Sequence, residues 1–211
     1  MTAMDVHLAS GSADWQCYRL ACNSSTTCRM HVGGPASYDY TQRTDVFPTG
    51  TWLHLAGRIL STTSRTVFVN GKGTTATGSQ ASPSVAPDQV NIGRIGSASP
   101  STYWDGMIAY PAIWENALSD NEITALSNGA HPSIISPHTL WAAWNFDNSQ
   151  YEQRNDFGSA RVELRPGGTP QRGISGLSLY GDHPEYDYGP ARRSGAAAGN
   201  RRRRVLLTGS Q

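Results

Sequence analysis

The sequence is short of several things, and each shortage argues against a class of function. It has only three cysteines, Cys17, Cys22 and Cys28. None of them forms a C-x-x-C pair, and His31 is poor support, so the spacing argues against a zinc site. One cysteine must stay unpaired within a monomer. Free, half-buried thiols in a reducing compartment are the expectation, with a single disulfide in this segment as the alternative. No apolar run is long enough to span a membrane. The opening MTAMDVHLASGS lacks both a basic and an apolar stretch, so it does not read as a secretory signal. Neither G-x-S-x-G nor G-x-x-x-x-G-K-[ST] occurs, which leaves no visible serine-hydrolase elbow and no phosphate loop. Paired acids are scarce as well. A retaining glycosidase needs two carboxyl groups about 5 Å apart, most easily supplied by alternate positions of one strand. The candidate is Glu185-Tyr186-Asp187, but it lies among Pro and Gly and reads as a solvated turn. The chain is therefore expected not to be an enzyme.

What is present favours many short strands. Hydrophobic residues make up 37% of the 211 positions, and 22 glycines punctuate them. Net charge is +1 but unevenly placed. Gly189 to Gln211 holds six arginines and no acid, so the rest of the chain carries 11 basic and 16 acidic residues. Residues 1–188 read as one domain and 189–211 as a disordered Gly/Ala/Arg-rich tail.

Along the chain, Trp15 to Cys22 and Cys28 to Val32 read as a strand pair around NSST. Thr51 to Leu60 reads as a strand, with Leu53, Leu55 and Ile59 on one face and Trp52, His54 and Arg58 on the other. Arg65 to Val69 follows, then Asn70-Gly71, whose tolerance of positive φ predicts a two-residue type I′ hairpin returning through Lys72 to Thr77. Gln89 to Arg94 is a further strand. Ile108 to Trp114 reads as another, although Pro111 cannot donate to a ladder and so implies an edge or a bulge. Ser119 with Glu122 three residues on is a capping box, and Leu118 with Ile123 a hydrophobic staple, so one short helix is predicted over 119–128. Gly129 and Pro132 end it. Leu140 to Phe146 is a strand, and Arg161 to Leu164 with Leu177 to Tyr180 a weaker last pair. Trp52, Trp114, Trp141 and Trp144 fall within strands, which makes packing their default role. Together these elements predict an all-β sandwich of two antiparallel sheets.

The run G-x-I-A-x-x-A-I-W-x-x-A-L-S-x-x-E-I-x-x-L, ending in the helix, resembles the close of a laminin-G-like, concanavalin-A-like domain. TWLHLAGRILSTTSRTVFVNG (Thr51 to Gly71), VNIGR (Val90 to Arg94) and HPSIISPHTLWAAWNF (His131 to Phe146) extend the resemblance over about two thirds of the chain. It is most similar to versions found in tailed-phage and prophage structural proteins. The resemblance implies a jelly-roll sandwich, a non-catalytic binding or attachment role on a virion, and glycan or another cell-surface polymer as partner, with other virion proteins as further partners. The alternatives are a purely structural virion domain and a degenerate, truncated glycoside hydrolase. Family members usually carry strands upstream of Trp15, so the sandwich is expected to be missing N-terminal strands.

Sugar recognition calls for exposed aromatic faces beside hydrogen-bonding groups. Tyr103-Trp104-Asp105 at a loop-to-strand junction and Tyr38-Asp39-Tyr40 have that composition; the ligand-binding candidates are Tyr103, Trp104, Asp105, Tyr38 and Tyr40. Some laminin-G-like domains bind calcium, for which Asp88, Asp105 and Asp147 are possible donors outside any recognisable loop pattern. The arginines of the tail, Arg192, Arg193 and Arg201 to Arg204, could contact phosphate or nucleic acid; the body offers no such run.

Overall fold

The computed structural model describes residues 1–7, 17–24, 26–34, 38–48, 50–78, 83, 89–96, 102–146 and 158–160. The weaker strand pair expected at Arg161 to Leu164 and Leu177 to Tyr180, the Glu185-Tyr186-Asp187 turn and the arginine tail lie outside them.

The described strands form the antiparallel sheets expected of the sandwich. β1 (Thr2–His7), β2 (Cys17–Ser24), β3 (Thr27–Gly33), β4 (Tyr38–Thr44) and β8 (Gln89–Ile92) make a five-stranded sheet in the order β4-β3-β2-β1-β8. β5 (Leu55–Ser61), β6 (Ser64–Val69) and β7 (Lys72–Thr77) make a three-stranded sheet. Alternation along each strand decides what meets between them. Tyr18 and Leu20 of β2 and Met30 and Val32 of β3 pack against Leu55 and Val67 of the second sheet. Close approach is needed there: a Cβ on Gly57 would lie 2.7 Å from Met30 Sδ. Val69 closes the same interior against Cys22 and Cys28.

Those two cysteines face each other across β2 and β3 and form a disulfide, with Cα atoms 4.0 Å apart. This replaces the expected free thiols. Parity makes the choice: Cys17 lies five residues before Cys22 on the same strand and so points to the opposite face, where it stays free and buried. Burial pushes its thiol up to about 11.

The far side of the three-stranded sheet is apolar. Phe68 lies over Gly73, whose Cβ would meet its ring at 2.8 Å. On it docks α1 (Asp120–Ser127) through Leu118, Ile123 and Leu126. The capping box is formed: Ser119 Oγ accepts from Glu122 N–H, and the Glu122 carboxylate accepts from Ser119 N–H. Ser136 Oγ donates to the other carboxylate oxygen, which ties the following loop to the helix start. At the far end Gly129 takes φ +102°, while its N–H and that of Ala130 bond back to Leu126 and Ala125, the glycine-terminated close that the sequence predicts. Arg58 fastens the helix start to the sheet by donating to Leu118 O and the Asp120 carboxylate, its guanidinium 4.9 Å from the Phe68 ring centroid. Asn70 and Gly71 both take positive φ, 48° and 74°, as a type I′ turn requires.

Three boundaries differ from the sequence expectation. β1 is a strand upstream of Trp15, set between β2 and β8, which the sequence reading did not recognise. The strand expected from Thr51 begins at Leu55. The strand expected from Ile108 begins after Pro111, as β9 (Ala112–Trp114), and pairs with a bulged β10 (Leu140–Ala143). Pro111 contributes only its carbonyl, which accepts from Trp144 N–H; the proline rule therefore marks the start of this strand rather than a point inside it. No helix among the described residues is long and apolar enough to cross a membrane.

Candidate functional site

The outer face of the five-stranded sheet is built of polar and aromatic groups. The register places Asn91, Asp5, Arg19, His31 and Tyr40 side by side on β8, β1, β2, β3 and β4. Each alternates with a residue turned to the interior, so all five share the outer face. Asp5 is fully buried and accepts from Arg19 Nε at 3.1 Å with one oxygen and from Gly96 N–H at 2.8 Å with the other. Arg19 Nη1 donates to the Tyr38 hydroxyl at 3.1 Å. A buried ion pair of this kind is tolerable because each oxygen of the carboxylate accepts from a donor.

Toward the β4 edge the row becomes aromatic. His31 stacks on Tyr38 with ring centroids 5.1 Å apart, and Tyr40 tilts against it at 5.7 Å. The Arg29 guanidinium lies 4.4 Å from the Tyr40 centroid, and its Nε donates to Gln42 Oε1 at 3.1 Å. Burial holds His31 down to about 4, and the guanidiniums of Arg19 and Arg29 add to the shift. Burial likewise raises the Tyr38 phenol. The surface is thus a neutral aromatic group flanked by fixed donors. Tyr40 is 51% exposed, while His31 beneath it is only 8% exposed.

A profile of the concanavalin A-like lectin/glucanases superfamily matches residues 2–124. The chain belongs to this superfamily. The matched span takes in the five- and three-stranded sheets and the first part of the docked helix, so the concanavalin A-like sandwich covers the face just described. Among solved structures, the S-layer domain-containing protein (residues 221-444) from Clostridium thermocellum is similar at 20% identity, with 56% of this chain and 59% of that chain covered and a TM-score of 0.31. So distant a likeness carries no functional argument. No curated protein matches the chain.

Within the concanavalin A-like frame the sequence candidates separate. Tyr38 and Tyr40 come together on the outer face, joined by His31, which sequence reasoning had weighed only as a metal ligand. Their neighbour Asp39 is turned to the interior by the pleat, toward the buried Arg65. The aromatic-plus-acid composition of Tyr38-Asp39-Tyr40 is therefore split between two faces. At the other cluster Tyr103 is 61% exposed and Asp105 is exposed, but Trp104 packs against the interior group of Cys22, Cys28 and Val69. Its indole serves packing there, and Gly106 leaves room for it, since a Cβ would sit 3.1 Å from Nε1. The two clusters do not form one site on the described residues.

Asp5 and Asp39 are the carboxylates of the described strands, and they face opposite ways. Of the calcium candidates, Asp88 and Asp147 lie outside the described residues, and no group of three metal-binding side chains occurs among the described ones. His131 has a nucleophile-like setting, with Nδ1 2.7 Å from Ser133 Oγ and Nε2 3.0 Å from Asn145 Oδ1. Nδ1, however, also accepts from the backbone N–H of Ser133 and caps the 3-10 turn Pro132–Ile134. Its lone pair is occupied, so the arrangement serves to anchor that turn to the chain after β10 rather than to activate Ser133.

Proposed function

We propose that the chain is a non-catalytic binding or attachment module, recognising a surface glycan as part of a phage or prophage structural protein. The observation that carries the reading is the half-exposed Tyr40 on the outer sheet face, backed by His31 and Tyr38 and edged by Arg29 and Gln42. A sugar ring stacks on such a phenol while amide and guanidinium groups bond its hydroxyls. The site is shallow and leaves much of the ligand wet, so single-copy affinity is modest. Several copies on one particle would raise avidity by about 10²–10⁴ where geometry lets them engage together. The Cys22–Cys28 disulfide supports work outside a reducing cytosol. Membership of a superfamily that includes lectins supports glycan as the ligand class. The virion setting rests on the resemblance of Trp104 to Asn128 to phage-type domains. A purely structural virion domain is the second reading, and it is favoured by the packed indole of Trp104.

The experiment is a multivalent display of the protein on a glycan array and on cells. Tyr40→Ala should abolish binding with an unchanged melting temperature. Retained binding in that variant would move the site elsewhere, with Tyr103 the next candidate. No binding by the wild-type display at all would leave the structural reading standing.

A further inference from the structure

We infer that the ligand of this face is a polysaccharide bearing oxyanions, gripped by the Arg29 guanidinium lying on Tyr40. This rests on the reading above that the face binds glycan, and it names the chemistry of that glycan. Arg29 has no carboxylate partner among the described residues; the ion pairs are Arg19 with Asp5, Arg43 with Asp45 and Arg58 with Asp120. Asp5, the carboxylate of this face, is already committed to Arg19 and to Gly96 N–H. Among the described residues the charge of Arg29 is therefore uncompensated, on a chain whose residues before the tail are net acidic.

The guanidinium is also held ready. Its plane is pinned by the ring 4.4 Å away and by the Nε bond to Gln42, which leaves Nη1 and Nη2 to present parallel donors. Such a fork matches carboxylate, sulfate or phosphate through two N–H···O bonds at once. Because the fork is fixed before binding, little rotamer freedom is lost on contact. A second observation points the same way. His31 is more than nine-tenths buried under Tyr40, and its Nδ1 has no hydrogen-bond partner. Its ring is kept neutral partly by the two neighbouring guanidiniums, so the local field is positive. A neutral sugar would leave that field unanswered, and an anionic one would relieve it.

The test uses the full chain, so that the arginine tail is the same in every sample. Binding is measured to polygalacturonate, dextran sulfate, poly(glycerol phosphate) and neutral dextran, for the wild type, Arg29→Gln and Arg29→Lys. The wild type should bind at least one acidic polymer in preference to dextran, and less tightly as salt rises. Arg29→Gln should weaken that binding by about tenfold or more, the loss expected for hydrogen bonds to a charged group. Arg29→Lys should recover only part of it, because it restores the charge without the fork. The polymer showing the largest drop identifies the oxyanion. Melting curves check that both variants fold, and Arg29→Lys carries the test should Arg29→Gln fail to do so. Acidic-polymer binding that is equal in all three proteins would overturn the inference and assign the effect to the tail. Binding to neutral dextran that needs Tyr40 but not Arg29 would overturn it too, while leaving the glycan reading intact. Failure to bind any of the four polymers would sink the inference by itself, and the glycan array would then decide the wider reading.

Discussion

The three-stranded sheet turns Phe68, Ala56 and the aliphatic part of Arg58 outward, and a helix covers them. The five-stranded sheet turns Asp5, Arg19, His31 and Tyr40 outward, and at Tyr40 that face meets solvent. Both sheets bury the same kind of interior: Leu20, Met30 and Val32 on one side, Leu55, Val67 and Val69 on the other. The difference lies wholly in the alternate positions. An apolar outer face must be covered, and α1, too short to persist alone, is what covers it. The polar face is buried along Asp5, Arg19 and His31, where Asp5 and Arg19 pair, and it opens toward Tyr40 on β4.

The sharpest way to break this contrast is to unpair the polar face. Asp5→Ala leaves the Arg19 guanidinium buried without its carboxylate, and such a loss costs about 3–5 kcal/mol. Chemical denaturation should show it as a lower midpoint at unchanged slope. A cost below 1 kcal/mol would mean that Arg19 finds water instead. The apolar face is tested next by Gly71→Val, at the point where the hairpin meets the helix. A β-branched residue at φ 74° is strained, and its Cβ would fall 2.7 Å from Ser127 Oγ. The two effects together should cost about 2–4 kcal/mol, read as a lower melting temperature. A wild-type melt would refute the turn assignment.

Acid gives a smaller effect. Burial lowers both His31 and His54 to about 4 in the folded chain. An unfolded histidine titrates near 6.5, so between these values the unfolded state binds protons that the folded state does not. Stability is then complete above about pH 6.5 and declines as pH falls toward 4, by of order 1–3 kcal/mol for the deeply buried His31. His31→Gln should flatten that part of the melting-temperature profile. An unchanged slope would show that His31 opens to water before it titrates.

Several parts of this account could be read in the chain because they are local. Asn70-Gly71 needs only its own two residues to demand a type I′ turn. Ser119 and Glu122 need only a spacing of three to cap a helix, and Gly129 needs only its place after it. β1 was hidden for the opposite reason. Its six residues carry Asp5 at the centre of a sheet, against strand propensity, and they make sense only beside Arg19 of β2 and Asn91 of β8. The packing of Trp104 was hidden in the same way: its composition suits sugar stacking, and its half-buried indole packs against Cys22, Cys28 and Val69, distant in sequence.

By itself the sequence determined the class of fold, the hairpin and the capped helix, since periodicity, turn chemistry and caps act over a few residues. It also put Tyr38 and Tyr40 among the candidates. Only the tertiary structure decided which cysteines pair, that Asp39 turns away from its two tyrosines, and that Arg29, His31 and Tyr40 share one face. Those outcomes depend on strand register, where a slip of one residue exchanges every inward side chain for an outward one. Register is fixed by contacts between segments far apart in the chain, and a reading that moves along one strand at a time does not see them.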